Sequence, residues 1–123
     1  RSKIAGMAHI MLPSSAESQT ENDNMRRYAD TGVAELIRKM CSYGAKKRRI
    51  TAKIAGGAQM FSGDSDVFSV GERNVAAVKQ ALQSSKIPIV AEQTGLDFGR
   101  TVFFYSEDGT MEVRAPSRPA IKV

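Results

Sequence analysis

The strongest constraint on the fold is an alternation of two helical stripes with short apolar runs. Ala29, Val33, Leu36, Ile37, Met40 and Cys41 recur at three- and four-residue spacing, which puts them on one helix face. Asp30 or Thr31 can cap or charge the start of this helix, and Gly44 suits the left-handed position past its end. Val75, Val78, Ala81 and Leu82 repeat the pattern in a second helix, from about Gly71 or Arg73 to Ser84. The runs around them are too short for helices. Residues 3–12 read as a strand buried on both faces, with Ile4, Met7, Ile10, Met11 and Leu12 as its bulk and Pro13 as its stop. Ile50, Ala52 and Ile54 alternate into the core of a second strand. A third runs from Ile87 to Gln93, with Pro88 near its start. Thr101–Ser106 and Thr110–Arg114 form a hairpin around Glu107-Asp108-Gly109, since Asp-Gly tolerates the positive φ such turns require. The order β-α-β-α-β-β-β predicts an α/β fold, a mixed β-sheet layered with helices.

At 123 residues the chain is read as one domain, 1–123, with 115–123 a frayed tail. Two polar stretches, 14–24 and 62–70, read as exposed loops. No apolar run approaches the roughly 20 residues of a membrane span, so no membrane insertion is expected. Arg1-Ser2-Lys3 leads into Ile4-Ala5-Gly6 without an extended apolar leader, and the chain begins in mid-strand. That start is read as a fragment or a processed form. A single cysteine, Cys41, excludes an internal disulfide and fits a reducing, cytoplasmic setting. It lies on the apolar stripe, where a thiol is inert packing. No Cys/His group has zinc spacing, so no metal or cofactor is expected. The net charge of +5 favours acidic partners. Nucleic acid is not among them: Trp is absent, Tyr and Phe are few, and Lys46-Lys47-Arg48-Arg49 reads as a solvated approach to the next strand.

Two stretches can carry chemistry. His9, the one histidine, lies inside the apolar run Gly6-Met7-Ala8-His9-Ile10-Met11-Leu12-Pro13. Histidine is the side chain type whose unperturbed pKa lies close to physiological pH, so the residue is either a proton shuttle or a satisfied core or rim residue. The second strand ends in Ala55-Gly56-Gly57-Ala58-Gln59-Met60-Phe61. Gly56 and Gly57 permit positive φ and close backbone approach, either as a tight turn or to offer amides to an oxyanion. The Gly-Lys-Ser/Thr ending of a P-loop is missing. Met60 and Phe61 at this tip are core residues or an apolar anchor for a partner helix.

Five motifs together resemble one family. Gly6-Met7-Ala8-His9-Ile10-Met11-Leu12-Pro13, Tyr28-Ala29-Asp30, Lys53-Ile54-Ala55-Gly56-Gly57-Ala58-Gln59-Met60-Phe61, Gly71-Glu72-Arg73-Asn74-Val75 and Ala91-Glu92-Gln93-Thr94-Gly95 occur in the order seen in CheD, the chemoreceptor glutamine deamidases. The resemblance implies an α/β layered sandwich, similar in active-site arrangement to the deamidating necrotizing-factor toxins. It implies a cytoplasmic amidohydrolase that converts glutamines on methyl-accepting chemoreceptor helices to glutamate, and a second role in binding CheC, a phosphatase of the response regulator CheY. His9 falls on the family's catalytic histidine. The nucleophilic cysteine and a third triad member, a threonine, lie upstream of that histidine in the family, and residues 1–8 contain neither. The sequence is therefore read as an N-terminally truncated member, in which Cys41 is no substitute. A further departure is Leu96, where many relatives carry another glycine. The alternative reading is a non-catalytic module docking on chemoreceptors or CheC, with Met60 and Phe61 as its first surface to test.

Overall fold

The computed structural model describes residues 3–17, 24–58 and 70–123. Two helices, α1 (Ala29–Ser42) and α2 (Val70–Ser84), fall where the apolar stripes put them. Val33, Leu82 and Ile87 are buried together, and Ile37, Ile50, Ala52, Ile54, Val78, Ala81 and Ile89 pack around them. Each fully buried aliphatic side chain of this kind contributes about 1.5–3 kcal/mol. Asp30 charges the first turn of α1 rather than capping it; the residue at the cap is Tyr28. Gly44 follows the helix at φ +107°, with Gly44 N–H on the Cys41 carbonyl and Ala45 N–H on that of Met40. These are the two bonds that close a Schellman motif. α2 ends the same way through Lys86 N–H to Gln83 O and Ile87 N–H to Leu82 O, but its left-handed residue is Lys86, at φ +59°.

The strands divide into two sheets rather than one mixed sheet. β1 (Ala52–Gly56) and β2 (Ile89–Thr94) pair in parallel through the α2 crossover, Ala52 opposite Ile89, then, after a register shift between Ala52 and Lys53, Lys53 opposite Ala91 through to Gly56 opposite Thr94. β3 (Thr101–Tyr105) and β4 (Thr110–Arg114) form the expected hairpin, with Gly109 at φ +76°. The tail is not frayed. Ile121–Lys122 form β5, antiparallel to β4, and Val123 exchanges both backbone hydrogen bonds with Met111. Lys53 on β1 explains the order there: its ammonium donates to the Gly109 carbonyl at 2.6 Å and to the Val123 carbonyl at 2.7 Å, tying the two sheets together.

The predicted strand over 3–12 does not form. The segment is irregular, and its only ladder contact among the described residues is an isolated bridge between Leu12 and Tyr28. A strand needs a neighbour to take its amides and carbonyls, and among the described residues none lies beside 3–10. It is also not buried on both faces. Ile4, Ala8, Ile10 and Leu12 are half-buried, whereas Met7, His9 and Met11 are exposed. The segment lies over α1. A β-carbon on Gly6 would come within 2.6 Å of Leu36, and one on Gly32 within 2.8 Å of the Ile10 side chain.

The basic residues Lys47–Arg49 form an exposed 3-10 turn before β1, as a solvated approach should. The described part of the 14–24 loop contains a 3-10 turn, Ser15–Glu17, held by Asp30: the Ser15 amide and hydroxyl both donate to its carboxylate. Burial alone would raise the Asp30 pKa, but these bonds and the Thr31 amide outweigh it and hold the group below its ordinary value. Residues 18–23 and 62–69 of the two expected loops lie outside the described residues.

Candidate active site

His9 projects from the outward face of the segment, between Met7 (61% exposed) and Met11 (51% exposed). It is a rim residue, not a core histidine. Ile10 faces α1 at Gly32, while Met7, His9 and Met11 are turned outward. The C-terminal end of the segment is fixed by its backbone. Met11 and Leu12 N–H both donate to the Arg27 carbonyl, at 2.7 and 3.1 Å, and the Leu12 carbonyl accepts from Ala29 N–H at 3.0 Å. Asn74 on α2 adds a side-chain bond, Nδ2 to the Met11 carbonyl at 3.0 Å.

His9 borders a cleft of about 390 Å³ between this segment, the 3-10 turn Met25–Arg27 and α1. Arg26, Arg27 and Lys39 line it against one carboxylate, Glu35. Glu35 is itself engaged by Arg38, whose Nη2 lies 2.7 Å from Oε1. That hydrogen bond, with the nearby positive charges, holds the Glu35 pKa below its ordinary value. The cleft is therefore cationic in balance and open to solvent beside the imidazole. Nothing among the described residues hydrogen-bonds His9.

The other candidates lie elsewhere. Cys41 is half-buried on α1, beside the Met40 that touches Gly6, and does not line the His9 cleft. Gly56 and Gly57 have the positive φ expected of them, +103° and +68°. The close approach at Gly57 is made by α2: a β-carbon there would stand 2.2 Å from Val75 Cγ2 and 3.0 Å from the Gly71 carbonyl. Gly56 accepts Gly95 N–H at its carbonyl. Met60 and Phe61 lie outside the described residues. Within the described residues, no group of three or more His, Cys, Asp or Glu is placed to hold a metal ion. Nor is any described helix long and apolar enough to cross a membrane.

Asn74 was not among the site residues expected from the sequence. The available signal is its phase: residue 74 falls on the same α2 face as 78 and 81, so an amide there had to meet a polar group inside the packing. Leu96 adopts φ +61° and is 67% exposed, so the backbone at this position has the left-handed form that a glycine adopts without strain.

The family model for CheD chemotactic sensory transduction matches residues 11–115. Among curated proteins, the chain is 45% identical over 123 residues to the probable chemoreceptor glutamine deamidase CheD of Lachnoclostridium phytofermentans, covering 98% of this chain and 76% of that protein. It is 51% identical over 114 residues to the corresponding protein of Caldanaerobacter subterraneus subsp. tengcongensis, covering 91% and 70%. Its similarity to the chemoreceptor glutamine deamidase CheD of Halalkalibacterium halodurans is 46% over 114 residues, again 91% and 70%. With identities near one half sustained over nine-tenths of its length, the chain belongs to the CheD family.

Proposed function

We propose that this chain is the histidine-bearing part of a protein-glutamine deamidase acting on chemoreceptors. The observation that carries the reading is the outward presentation of His9 at a cationic cleft, in a chain whose relatives are named chemoreceptor glutamine deamidases. In the proposed reaction a cysteine thiolate attacks the side-chain amide carbon of a receptor glutamine. The C–N bond breaks, ammonia leaves, and a thioester remains. His9 takes the thiol proton, passes it to the departing amine, and then deprotonates the water that hydrolyses the thioester to glutamate. The thiol and a threonine that orients the imidazole are assigned to a segment upstream of Arg1, within a single domain that has the family's layered sandwich and a deamidase-toxin-like site. Gly56 and Gly57 do not line the His9 cleft; the part proposed for them is substrate or partner binding at the end of β1. Arg26, Arg27 and Lys39 suit an acidic helical surface, on a receptor or on CheC; Met60 and Phe61 are the apolar side chains to substitute first in a docking test.

The test is ammonia release from a chemoreceptor cytoplasmic fragment by the full-length protein, with the converted glutamines located by mass spectrometry. His9→Ala should lower the rate by about 10²–10⁴-fold, the usual worth of a general acid–base group, with an unchanged circular dichroism spectrum. Full activity in this variant would sink the assignment. Docking without turnover is the second reading, favoured by the same cationic wall; it predicts receptor binding that persists when deamidation is abolished.

A further inference from the structure

We infer that Asn74 is a positioning residue for His9: its carboxamide clips the Met11 carbonyl to α2 and so fixes where the Met7-His9-Met11 face is presented. The inference rests on the proposed role of His9 for its catalytic meaning, but not for its structural content.

From residue 3 to residue 10 the segment makes no backbone hydrogen bond among the described residues, and its backbone bonds begin at Met11. Among the described residues, the polar tethers of this stretch therefore sit at Met11 and Leu12, two and three residues beyond the imidazole. Three of those bonds come from the neighbouring backbone at Arg27 and Ala29. The fourth, from Asn74 Nδ2 at 3.0 Å, is made by a side chain, and it links the segment to the second helix. The amide orientation follows from chemistry, since only the nitrogen can donate to a carbonyl.

With the nitrogen so committed, Asn74 Oδ1 is buried and has no donor among the described residues. An unmade bond at a buried acceptor is costly. A leucine, close to asparagine in shape, would occupy the same place on the apolar stripe without that cost. Packing alone gives no reason for an amide here, whereas the bond to Met11 does. Asn74 is thus a polar residue whose benefit lies in placing the segment rather than in filling the core.

The experiment compares Asn74→Leu and Asn74→Asp in the full-length protein; both keep the side-chain shape and both lose the donor. The His9 Cε1–H resonance, identified by its absence in His9→Ala, should move toward the position and linewidth of an unstructured peptide. The Met11 and Leu12 amides should exchange faster, while amides of α1 and β1 keep their protection. The kcat for deamidation should fall about 10–100-fold, the range for misplacing a reacting group by an ångström, with KM little changed. An unchanged His9 resonance and unchanged amide exchange in both variants would overturn the inference. So would protection lost uniformly across the fold, or failure of both variants to fold, because Asn74 would then serve general stability. Full activity in His9→Ala would remove the proton-transfer role alone; the resonance and the two amides would still decide whether Asn74 places the segment.

Discussion

Gly57→Ala should destabilise the fold by about 2–5 kcal/mol, as the sum of two effects that the structure separates. Gly57 sits at φ +68°, where a residue with a β-carbon loses roughly 1–2 kcal/mol. The added carbon would also stand 2.2 Å from Val75 Cγ2 and 3.0 Å from the Gly71 carbonyl. Overpacking of this kind costs about 1–3 kcal/mol, because β1 or α2 must shift to admit it. Gly109 supplies the reference: it has φ +76° but nothing within 4 Å of a built β-carbon, so Gly109→Ala should show the conformational cost alone. The assay is urea unfolding followed by circular dichroism. With a slope of about 2 kcal/mol per molar urea, the midpoint should drop by roughly 1–2.5 M for Gly57→Ala and by about 0.5–1 M for Gly109→Ala. Adding Val75→Ala to Gly57→Ala removes the nearer clashing atom, so the double variant should be more stable than the sum of the single changes predicts. Equal midpoints for the two glycine variants, with no coupling to Val75, would refute the tight closure of β1 on α2.

Two further outcomes are expected. Lys86 occupies the left-handed position after α2 at φ +59°, so Lys86→Gly should stabilise the protein by up to about 1 kcal/mol, or a few degrees in Tm; a lowered Tm would show that the lysine side chain makes a larger contribution than its backbone strain costs. Hydrogen bonds from Arg114 and then Tyr105 hold the Glu112 pKa below its ordinary 4.5. The folded state therefore gains stability from this ionised carboxylate above about pH 4.5, and loses it as pH falls through the lower folded-state pKa. Glu112→Gln should flatten that acid limb in urea midpoints measured from pH 6 to pH 3, and an identical slope in both proteins would refute the linkage.

Features decided by neighbours in sequence were legible; those decided by distant partners were not. The α1 stripe and its Gly44 stop, the α2 stripe, and the hairpin at Asp108-Gly109 each follow from a few adjacent residues, and the structure has them where the pattern put them. Ile121-Lys122 is too short to carry a strand pattern of its own. It is ordered by β4 and by Lys53, which is far away in sequence. The division into two sheets was illegible for the same reason, since strand runs do not state which partner they choose. At the site, His9 could be read as a candidate from residue type alone, but its exposure depends on which face of 3–12 meets α1. Asn74 could be identified only by projecting a polar residue onto an apolar face.

The misread segment also bears on mechanism. A strand within a sheet holds each side chain by a ladder, so losing one contact moves it little. Residues 7–12 alternate in burial without a ladder among the described residues, and His9 is held by the close approach of Gly6 and Ile10 to α1 and by bonds at one end. Gly6 and Gly32 set the depth of that packing, because each leaves less than 3 Å for an added β-carbon. The Met11–Leu12 bonds set the register along it. Precision at the imidazole is therefore a property of α1, the turn at Arg27 and α2 acting together. It is not a local propensity of Gly6-Met7-Ala8-His9-Ile10-Met11-Leu12, and changes at Gly32 or Asn74, far from His9 in sequence, should act at the imidazole.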